Sequence, residues 1–257
     1  MSSTRSRSRP APATELGAWQ RAALVLVAHG TGEGGNAALN SHVKALEARR
    51  LFAQVAGATL TGGADPEKVL DAIKAPETYV VPFFMTDGSA VHDILHRRLG
   101  LTGPVTERGG RRIVLSAPVG LNPRLSKLIV RRAQALSRER AIIPETATLL
   151  LIGHGSTRNP ASRRTTEAHA TRTRKGHIFA AVATAYLDEQ PILAQSVASL
   201  VGPAVAVGLF SKDGLHASHD VPPILAARKP AVPYLGAIGS DPEMADLIID
   251  QVKSADT

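Results

Sequence analysis

Two histidines in the second half of the chain have neighbours suited to holding a divalent metal ion or moving protons. His154 ends the apolar run LLLIGHGS, and His216 lies in DGLHASHDVP. Histidine changes charge near neutral pH and is a common metal ligand. Asp188, in YLDEQP between them, would complete a set of two histidines and one carboxylate, which suits Co²⁺, Fe²⁺, Ni²⁺ or Zn²⁺. Because the three residues are far apart in the sequence, they predict a site assembled by the fold.

Three further residues lie beside these positions. Glu189 follows Asp188, and His219 follows His216 by about one helical turn, so both are secondary candidates for the site. Asp220 stands directly before Val-Pro-Pro, and we expect it to cap the helix that starts there rather than to act as a ligand, because aspartate is a favoured N-cap residue.

The first half contains similar blocks in the same order, which indicates an internal duplication. LVLVAHGT matches LLLIGHGS and places His29 at the position of His154. FAQVAGATL from Phe52 matches FAAVATAYL from Phe179. VPFFMTDG and VGLFSKDG end at Gly88 and Gly214.

The two halves differ in the chemistry they carry. The first half lacks equivalents of His216 and of the acidic pair. Small or polar residues occupy those places: Ser89, Ala90, Thr61 and Gly62. His29 and His92 remain, and His92 is the counterpart of His219. We therefore expect these two histidines to line the opposite wall of a cleft rather than to form an equal second site.

Each half has the element order of an α/β fold. An apolar strand ends at His-Gly, and a helix follows. The FAxVAxAxL block is either a strand or the end of that helix, and helices then start at Pro66 and Pro191. Buried strands are predicted over Tyr79–Phe84 and Ala204–Phe210, each leading to Asp-Gly. Alternating strands and helices predict a parallel sheet. Since ligands bind at the carboxyl ends of such strands, His-Gly and Asp-Gly should face one cleft.

Composition limits the function classes. Apolar residues make up 44% of the 257, enough for a large core, and the absence of cysteine excludes disulfides and thiolate ligands. Lys and Arg outnumber Asp and Glu by 30 to 22, which favours an anionic partner. Nucleic-acid motifs are missing, no apolar run is long enough for a membrane span, and we expect neither partner.

The domain organisation follows the repeat. Residues 1–20 are rich in Ser, Arg and Pro without the apolar segment of a secretory signal, so they predict a disordered tail and a cytoplasmic protein. The first α/β repeat is expected over 21–142 and the second over 143–257, joined near Arg138–Thr148.

The motifs together resemble a known family. The pattern φφφφxHGS, then (F/Y)L(E/D)…P, then φφφxxφFxxxGxHxxxDφP is similar to class II tetrapyrrole chelatases of the CbiX/SirB type. The resemblance implies two flavodoxin-like, doubly wound halves, and a lyase that inserts Co²⁺ or Fe²⁺ into sirohydrochlorin for cobalamin or sirohaem synthesis. It implies that His154 and His216 act on the metal and that Asp188 replaces the family's glutamate. Long members usually carry the complete pair in the first half, whereas here it lies in the second.

The same resemblance implies the ligands. The metal is a substrate, with Co²⁺ placed before Fe²⁺ or Ni²⁺, and no organic cofactor is expected. Arg158, Arg163 and Lys212 lie near predicted strand ends and could bind a polycarboxylate tetrapyrrole, or could simply be solvated loop residues. Two fused halves are compatible with a monomer or a homodimer.

Other function classes require characteristic residues of their own. A histidine phosphatase needs arginine before its histidine, but Ala28 and Gly153 stand there. A hydrolase elbow, a dinucleotide fingerprint and a phosphate-binding loop are also missing. A non-catalytic metal or tetrapyrrole carrier on the same fold remains open. For any shared metal site, the imidazoles of His154 and His216 should lie within roughly 8 Å of each other.

Overall fold

A computed structural model describes Gly17, residues 19–30 and residues 36–256, without the side chains of Ala90 and His92. Most of the predicted tail, 1–20, therefore lies outside the described residues. Trp19 is an exception, because it is buried against the first half and stacks on Phe52 with ring centroids 5.4 Å apart. Its Nε1 donates a hydrogen bond to Asp256 at 3.3 Å. Trp19 thus belongs to the folded part of the protein, although it lies within the predicted tail.

The first half forms a five-stranded sheet covered by helices. Its elements are β1 (Ala22–Ala28), α1 (Ala37–Ala48), β2 (Gln54–Thr59), α2 (Pro66–Ala72), β3 (Glu77–Pro82), a π-helical turn (Ala90–Leu95), α3 (His96–Leu99), β4 (Val105–Arg108), β5 (Arg111–Leu115), a 3₁₀ turn (Val119–Leu121) and α4 (Leu125–Glu139). The strand order is β2-β1-β3-β5-β4. All neighbours are parallel except β4, which is antiparallel to β5.

The second half repeats this plan without a counterpart of β4. Its elements are β6 (Thr148–Gly153), α5 (Ala161–Arg174), β7 (Ala181–Tyr186), α6 (Leu193–Ala198), β8 (Ala204–Gly208), a π-helical turn (His216–Asp220), α7 (Val221–Ala227), β9 (Tyr234–Ala237), a 3₁₀ turn (Ile238–Ser240) and α8 (Met244–Ala255). The sheet order is β7-β6-β8-β9, all parallel. The duplicated α/β fold is thereby confirmed.

The first strand of each half is apolar along nearly its whole length because helices cover both faces of the sheet. Leu24 and Leu26 point into a central cluster, whereas Ala23, Val25 and Val27 point into a second cluster on the other face. The same alternation holds in β6, whose residues divide between the central cluster and a third one. No helix in the described part of the chain has the length and apolar character needed to span a bilayer.

Several element predictions need adjustment. The FAxVAxAxL blocks are strands, β2 and β7. The α2 helix begins at Pro66 as predicted, and Asp65 caps it by accepting a hydrogen bond from Glu67 N at 2.9 Å. The α6 helix begins at Leu193 rather than Pro191, because the Pro191 carbonyl is used in accepting a hydrogen bond from Tyr186 N at 3.0 Å. In the first half, the predicted parallel sheet is extended by one antiparallel edge strand, β4, which is joined to β5 through the turn at Gly109-Gly110.

The last helix of each half packs on the other half. The α4 helix contacts α5, β8 and β9, and α8 contacts α1 and β3. The central cluster accordingly contains Leu24 and Leu128 together with Leu149 and Ile248. The predicted boundary between residues 142 and 143 follows the sequence repeat, but each sheet is covered in part by a helix from across that boundary.

Two buried histidines form hydrogen bonds between the two halves. His42 on α1 places Nε2 2.8 Å from the carbonyl oxygen of Gly239 in the second half. His169 on α5 places Nε2 2.7 Å from the carbonyl oxygen of Gly120, and its Nδ1 lies 2.8 Å from Ser126 Oγ. Burial lowers the pKa of both histidines below the ordinary value of 6.5, so both are neutral at physiological pH.

Candidate metal-binding site

His154 and His216 meet at the carboxyl ends of two neighbouring strands, β6 and β8. Their Nε2 atoms are 3.2 Å apart, and the ring planes cross at 85°. The side chains remain 44% and 51% exposed, so the pair is accessible from solvent. The expected approach of the two imidazoles is confirmed. The parallel pairing of β6 with β8 is what brings these residues together from distant positions in the chain.

The other ring nitrogen of each histidine faces oxygen acceptors. His154 Nδ1 lies 2.9 Å from Gly155 O and 3.3 Å from Asp188 Oδ2. His216 Nδ1 lies 2.8 Å from Asp220 Oδ2. Because these oxygens only accept hydrogen bonds, they assign the imidazole proton to Nδ1 and leave a lone pair on each Nε2. Each histidine therefore has one unprotonated ring nitrogen, and these two nitrogens lie 3.2 Å apart.

The Nε2 separation matches a single shared cation. Two lone pairs at 3.2 Å repel each other unless a proton or a metal ion lies between them. Two imidazole nitrogens bound tetrahedrally to one ion at ordinary bond lengths would be about 3.3 Å apart. The separation is thus close to that expected for two histidines sharing one divalent ion, and binding of a metal by the pair stays a prediction.

The backbone around His154 fixes this arrangement. Gly155 has φ +79°, and a β-carbon there would lie 2.8 Å from Cβ of Tyr186 and 2.8 Å from Cγ of Glu189. Only glycine allows the turn that brings its carbonyl to His154 Nδ1. The His154 carbonyl accepts hydrogen bonds from the backbone of Leu187 and Asp188, each at 3.0 Å. The loop after β7 is thereby tied to the histidine.

Asp188 lies near the pair, on the side away from the Nε2 atoms. Its carboxylate contacts His154 Nδ1, and its side chain is 61% exposed. Within the described residues, no group of three His, Asp or Glu side chains is arranged to hold a metal ion. The structure therefore brings together two of the three expected ligands, and Asp188 orients His154 in this conformation. A direct bond from Asp188 to a metal stays a prediction.

The helix-cap prediction for Asp220 was wrong. Asp220 makes no side-chain cap and is bound to His216 instead. An N-cap side chain bonds the backbone N–H of the second or third helical residue, and here those residues are Pro222 and Pro223, which have none. The sequence contained a signal for this contact. A histidine stands four residues before Asp220, and prolines occupy the second and third positions after it.

Glu189 and Arg163 pair with each other rather than with the histidines. Glu189 Oε2 accepts from Arg163 Nε at 3.1 Å and Nη2 at 3.0 Å, and the glutamate side chain is only 10% exposed. The guanidinium also lies 5.2 Å from the centre of the Tyr186 ring. Glu189 is therefore not placed as a ligand in this structure, and Arg163 anchors the loop that carries Asp188.

The first-half histidine has the same local geometry but a different neighbour. His29 Nδ1 lies 3.1 Å from Gly30 O, as in the second half. A small cavity beside it is lined by Phe83 and, from the second half, by Ser211 and Lys212. Burial lowers the pKa of Lys212. His29 thus lies close to residues of the second half, and its role in a cleft wall stays a prediction.

The remaining candidates occupy the surrounding loops. His219 is exposed in the same turn as His216, and no hydrogen bond among the described residues joins it to the pair. Arg158 is exposed in the loop after His154. The His92 side chain lies outside the described part of the structure. Roles for these residues stay predictions.

The fold and the site together define a duplicated α/β protein with a histidine pair at the carboxyl ends of two neighbouring strands. The family model named CbiX matches residues 23–136 and 148–255. Two matched segments cover most of the chain and coincide with the two repeats. The chain belongs to the CbiX family, and the resemblance stated from the motifs is confirmed.

Individual relatives agree with this assignment. A Halobacterium salinarum protein named "Probable sirohydrochlorin cobaltochelatase" is 26% identical over 91% of both chains. A solved CbiX structure, described as the terminal enzyme of siroheme biosynthesis in denitrifying bacteria, is 28% identical with a TM-score of 0.70, covering 90% of this chain and 98% of that one. A multi-domain Deinococcus radiodurans protein similar to chelatases has 26% identity and a TM-score of 0.77, and 90% of this chain spans 54% of its length.

Proposed function

We propose that this protein is a chelatase that inserts a divalent metal ion, Co²⁺ or Fe²⁺, into a polycarboxylate tetrapyrrole of the sirohydrochlorin type. The observation that carries the proposal is the facing pair of Nε2 atoms, 3.2 Å apart, on His154 and His216. The names of the relatives point to the same reaction.

The reaction exchanges one metal ion for two protons. The macrocycle loses its two pyrrole N–H protons, its nitrogens bind the ion, and the two protons must be accepted elsewhere. Two neutral imidazoles can deliver the ion and, once it has left, take up one proton each at Nε2. Asp188 and Asp220, which lie at the two Nδ1 atoms, would stabilise the imidazolium ions so formed.

A metal ion held by only two protein bonds is easier to transfer to a substrate than an ion enclosed in a storage site. Two histidine bonds leave most of the coordination sphere of the ion open, whereas a storage site normally surrounds it with four or more protein ligands. The half-exposed rings allow a flat macrocycle to approach the ion directly. An open coordination sphere and exposed rings therefore favour an enzyme over a carrier of metal or tetrapyrrole.

Basic residues around the cleft fit an anionic substrate. Arg158 lies four residues after His154, and Lys212 lies in the loop between β8 and His216, so both are candidates for binding a macrocycle held over the pair. Charge-assisted hydrogen bonds from such side chains to carboxylates are among the stronger polar contacts in proteins. His29, from the first half, supplies part of the facing wall, so one chain contains both sides of the cleft.

The test is a metallation assay under anaerobic conditions. The protein is incubated with sirohydrochlorin and Co²⁺, Fe²⁺ or Ni²⁺ in separate reactions, and the absorbance spectrum is followed against reactions without protein. We expect acceleration that falls to the spontaneous rate in His154→Ala and His216→Ala. The matched variant His29→Ala, which changes the same motif in the first half, should lose much less. Tight tetrapyrrole binding without acceleration would show a carrier instead.

A further inference from the structure

We propose that Asp220 is a positioning residue for the histidine pair. Its role is to hold the imidazole of His216 with the proton on Nδ1 and with Nε2 turned toward His154. This inference deepens the proposed function and rests on it for its biological meaning, but the geometry can be tested without any metallation. The contact is short, 2.8 Å between Asp220 Oδ2 and His216 Nδ1.

The sequence frees the Asp220 carboxylate for this contact. Asp220 directly precedes α7, where an aspartate would ordinarily bond backbone N–H groups of the first turn. Pro222 and Pro223 remove the two donors that such a side chain uses. The backbone of Asp220 is also helical, with φ −83° and ψ −41°, rather than extended as in most N-caps. The single turn from His216 to Asp220 then sets the carboxylate against the ring.

Asp220 is more important for the orientation of His216 than Asp188 is for the orientation of His154. His154 Nδ1 has a backbone acceptor, Gly155 O at 2.9 Å, in addition to Asp188 at 3.3 Å. Among the described residues, the hydrogen-bond acceptor of His216 Nδ1 is Asp220. Without that carboxylate, the ring of His216 is free to rotate and to move its proton to Nε2, which would block the metal.

The duplication supplies a matched control. Asp93 occupies the place of Asp220 in the first half and is likewise exposed. The counterparts of Pro222 and Pro223 there are Leu95 and His96, which keep their backbone N–H groups, and the first half has no histidine at the place of His216. Replacing Asp93 changes the same motif and the same charge while leaving the histidine pair intact.

The experiment compares Asp220→Asn, Asp220→Ala and Asp93→Asn with the unchanged protein. Nitrogen-15 NMR of the metal-free protein reports which nitrogen of His216 carries the proton, and visible absorption during Co²⁺ titration reports affinity for the metal alone. We expect Nδ1 protonation in the unchanged protein and in Asp93→Asn, and a shift toward Nε2 in Asp220→Ala. Affinity for Co²⁺ should fall about 10- to 100-fold in Asp220→Ala, as for other partners of metal-binding histidines.

Asp220→Asn separates orientation from folding, because its amide oxygen can still accept from Nδ1 and its shape is nearly unchanged. We expect a smaller loss of Co²⁺ affinity than in Asp220→Ala, with the same circular dichroism and melting temperature as Asp93→Asn. The proposal is overturned if Asp220→Ala keeps the proton on Nδ1 and binds Co²⁺ as tightly as Asp93→Asn. Failure of the proposed function has a different signature, namely correct protonation and Co²⁺ binding without accelerated metallation of sirohydrochlorin.

Discussion

The buried histidines between the halves make the free energy of unfolding depend on pH below the ordinary pKa of histidine. His42 and His169 are 2% and 1% exposed, and burial lowers the pKa of each in the folded state. In the unfolded chain both titrate near the ordinary value of 6.5. Unfolding below that pH therefore takes up protons, so stability is fully present above pH 6.5 and is lost as the pH falls.

The size of the effect follows from the number of protons. Each proton taken up on unfolding lowers the free energy of unfolding by about 1.4 kcal/mol per pH unit, so the two histidines together give at most about 2.7 kcal/mol per unit. The two sites are unequal, because Asp241 partly offsets the burial of His42 whereas Arg172 adds to the lowering at His169. We expect His169 to contribute the larger share.

The measurement is urea denaturation at pH 7.5, 6.5 and 5.5, above the range in which most carboxylates titrate. Glutamine variants are suitable because the amide can still donate to the carbonyl that each histidine contacts. His169→Gln should remove more of the pH dependence than His42→Gln, and the double variant should be nearly flat over this range. An unchanged slope in the double variant would refute the assignment of the dependence to these two side chains.

Three further predictions concern the candidate site. Gly155→Ala should destabilise the fold by about 1–3 kcal/mol, because alanine is strained at positive φ, and should weaken Co²⁺ binding in the same titration. Changing Pro222 and Pro223 to Ala together should give the preceding carboxylate two backbone donors and lower Co²⁺ affinity, with helix content by circular dichroism preserved. Arg163→Ala should lower the melting temperature without raising KM for the tetrapyrrole, whereas Arg158→Ala should raise KM and leave the melting temperature unchanged.

Much of the fold could be predicted because the repeat doubles every signal. His-Gly after an apolar run identifies β1 and β6, and the spacing of the later blocks places β3 and β8 beside them in the sheet. The β4 strand was not predicted because it has no copy in the second half, although Gly109-Gly110 is a recognisable turn signal. The start of α6 was misplaced because proline opens helices in general but Pro191 serves the end of β7 here.

The candidate site was predictable where backbone topology alone decides it. His154 and His216 follow neighbouring parallel strands, so their approach could be anticipated. The roles of Asp188, Glu189 and Asp220 depend on side-chain directions within loops, which spacing does not determine. Arg163 was expected to bind the tetrapyrrole substrate. It pairs instead with the Glu189 carboxylate, because a buried carboxylate attracts a guanidinium more strongly than open solvent does.

The exchange of α4 and α8 makes the two halves inseparable. A cut in the connection after Arg140 would give fragments that each keep a helix suited to the other fragment's sheet and lack the helix that covers their own. Neither fragment has a complete core, so each would depend on finding its counterpart, and its stability would rise with concentration. Fusion into one chain holds the counterpart at a fixed high local concentration. The covalent linkage between the repeats thus replaces an association equilibrium, and the stability of the fused protein does not depend on its concentration.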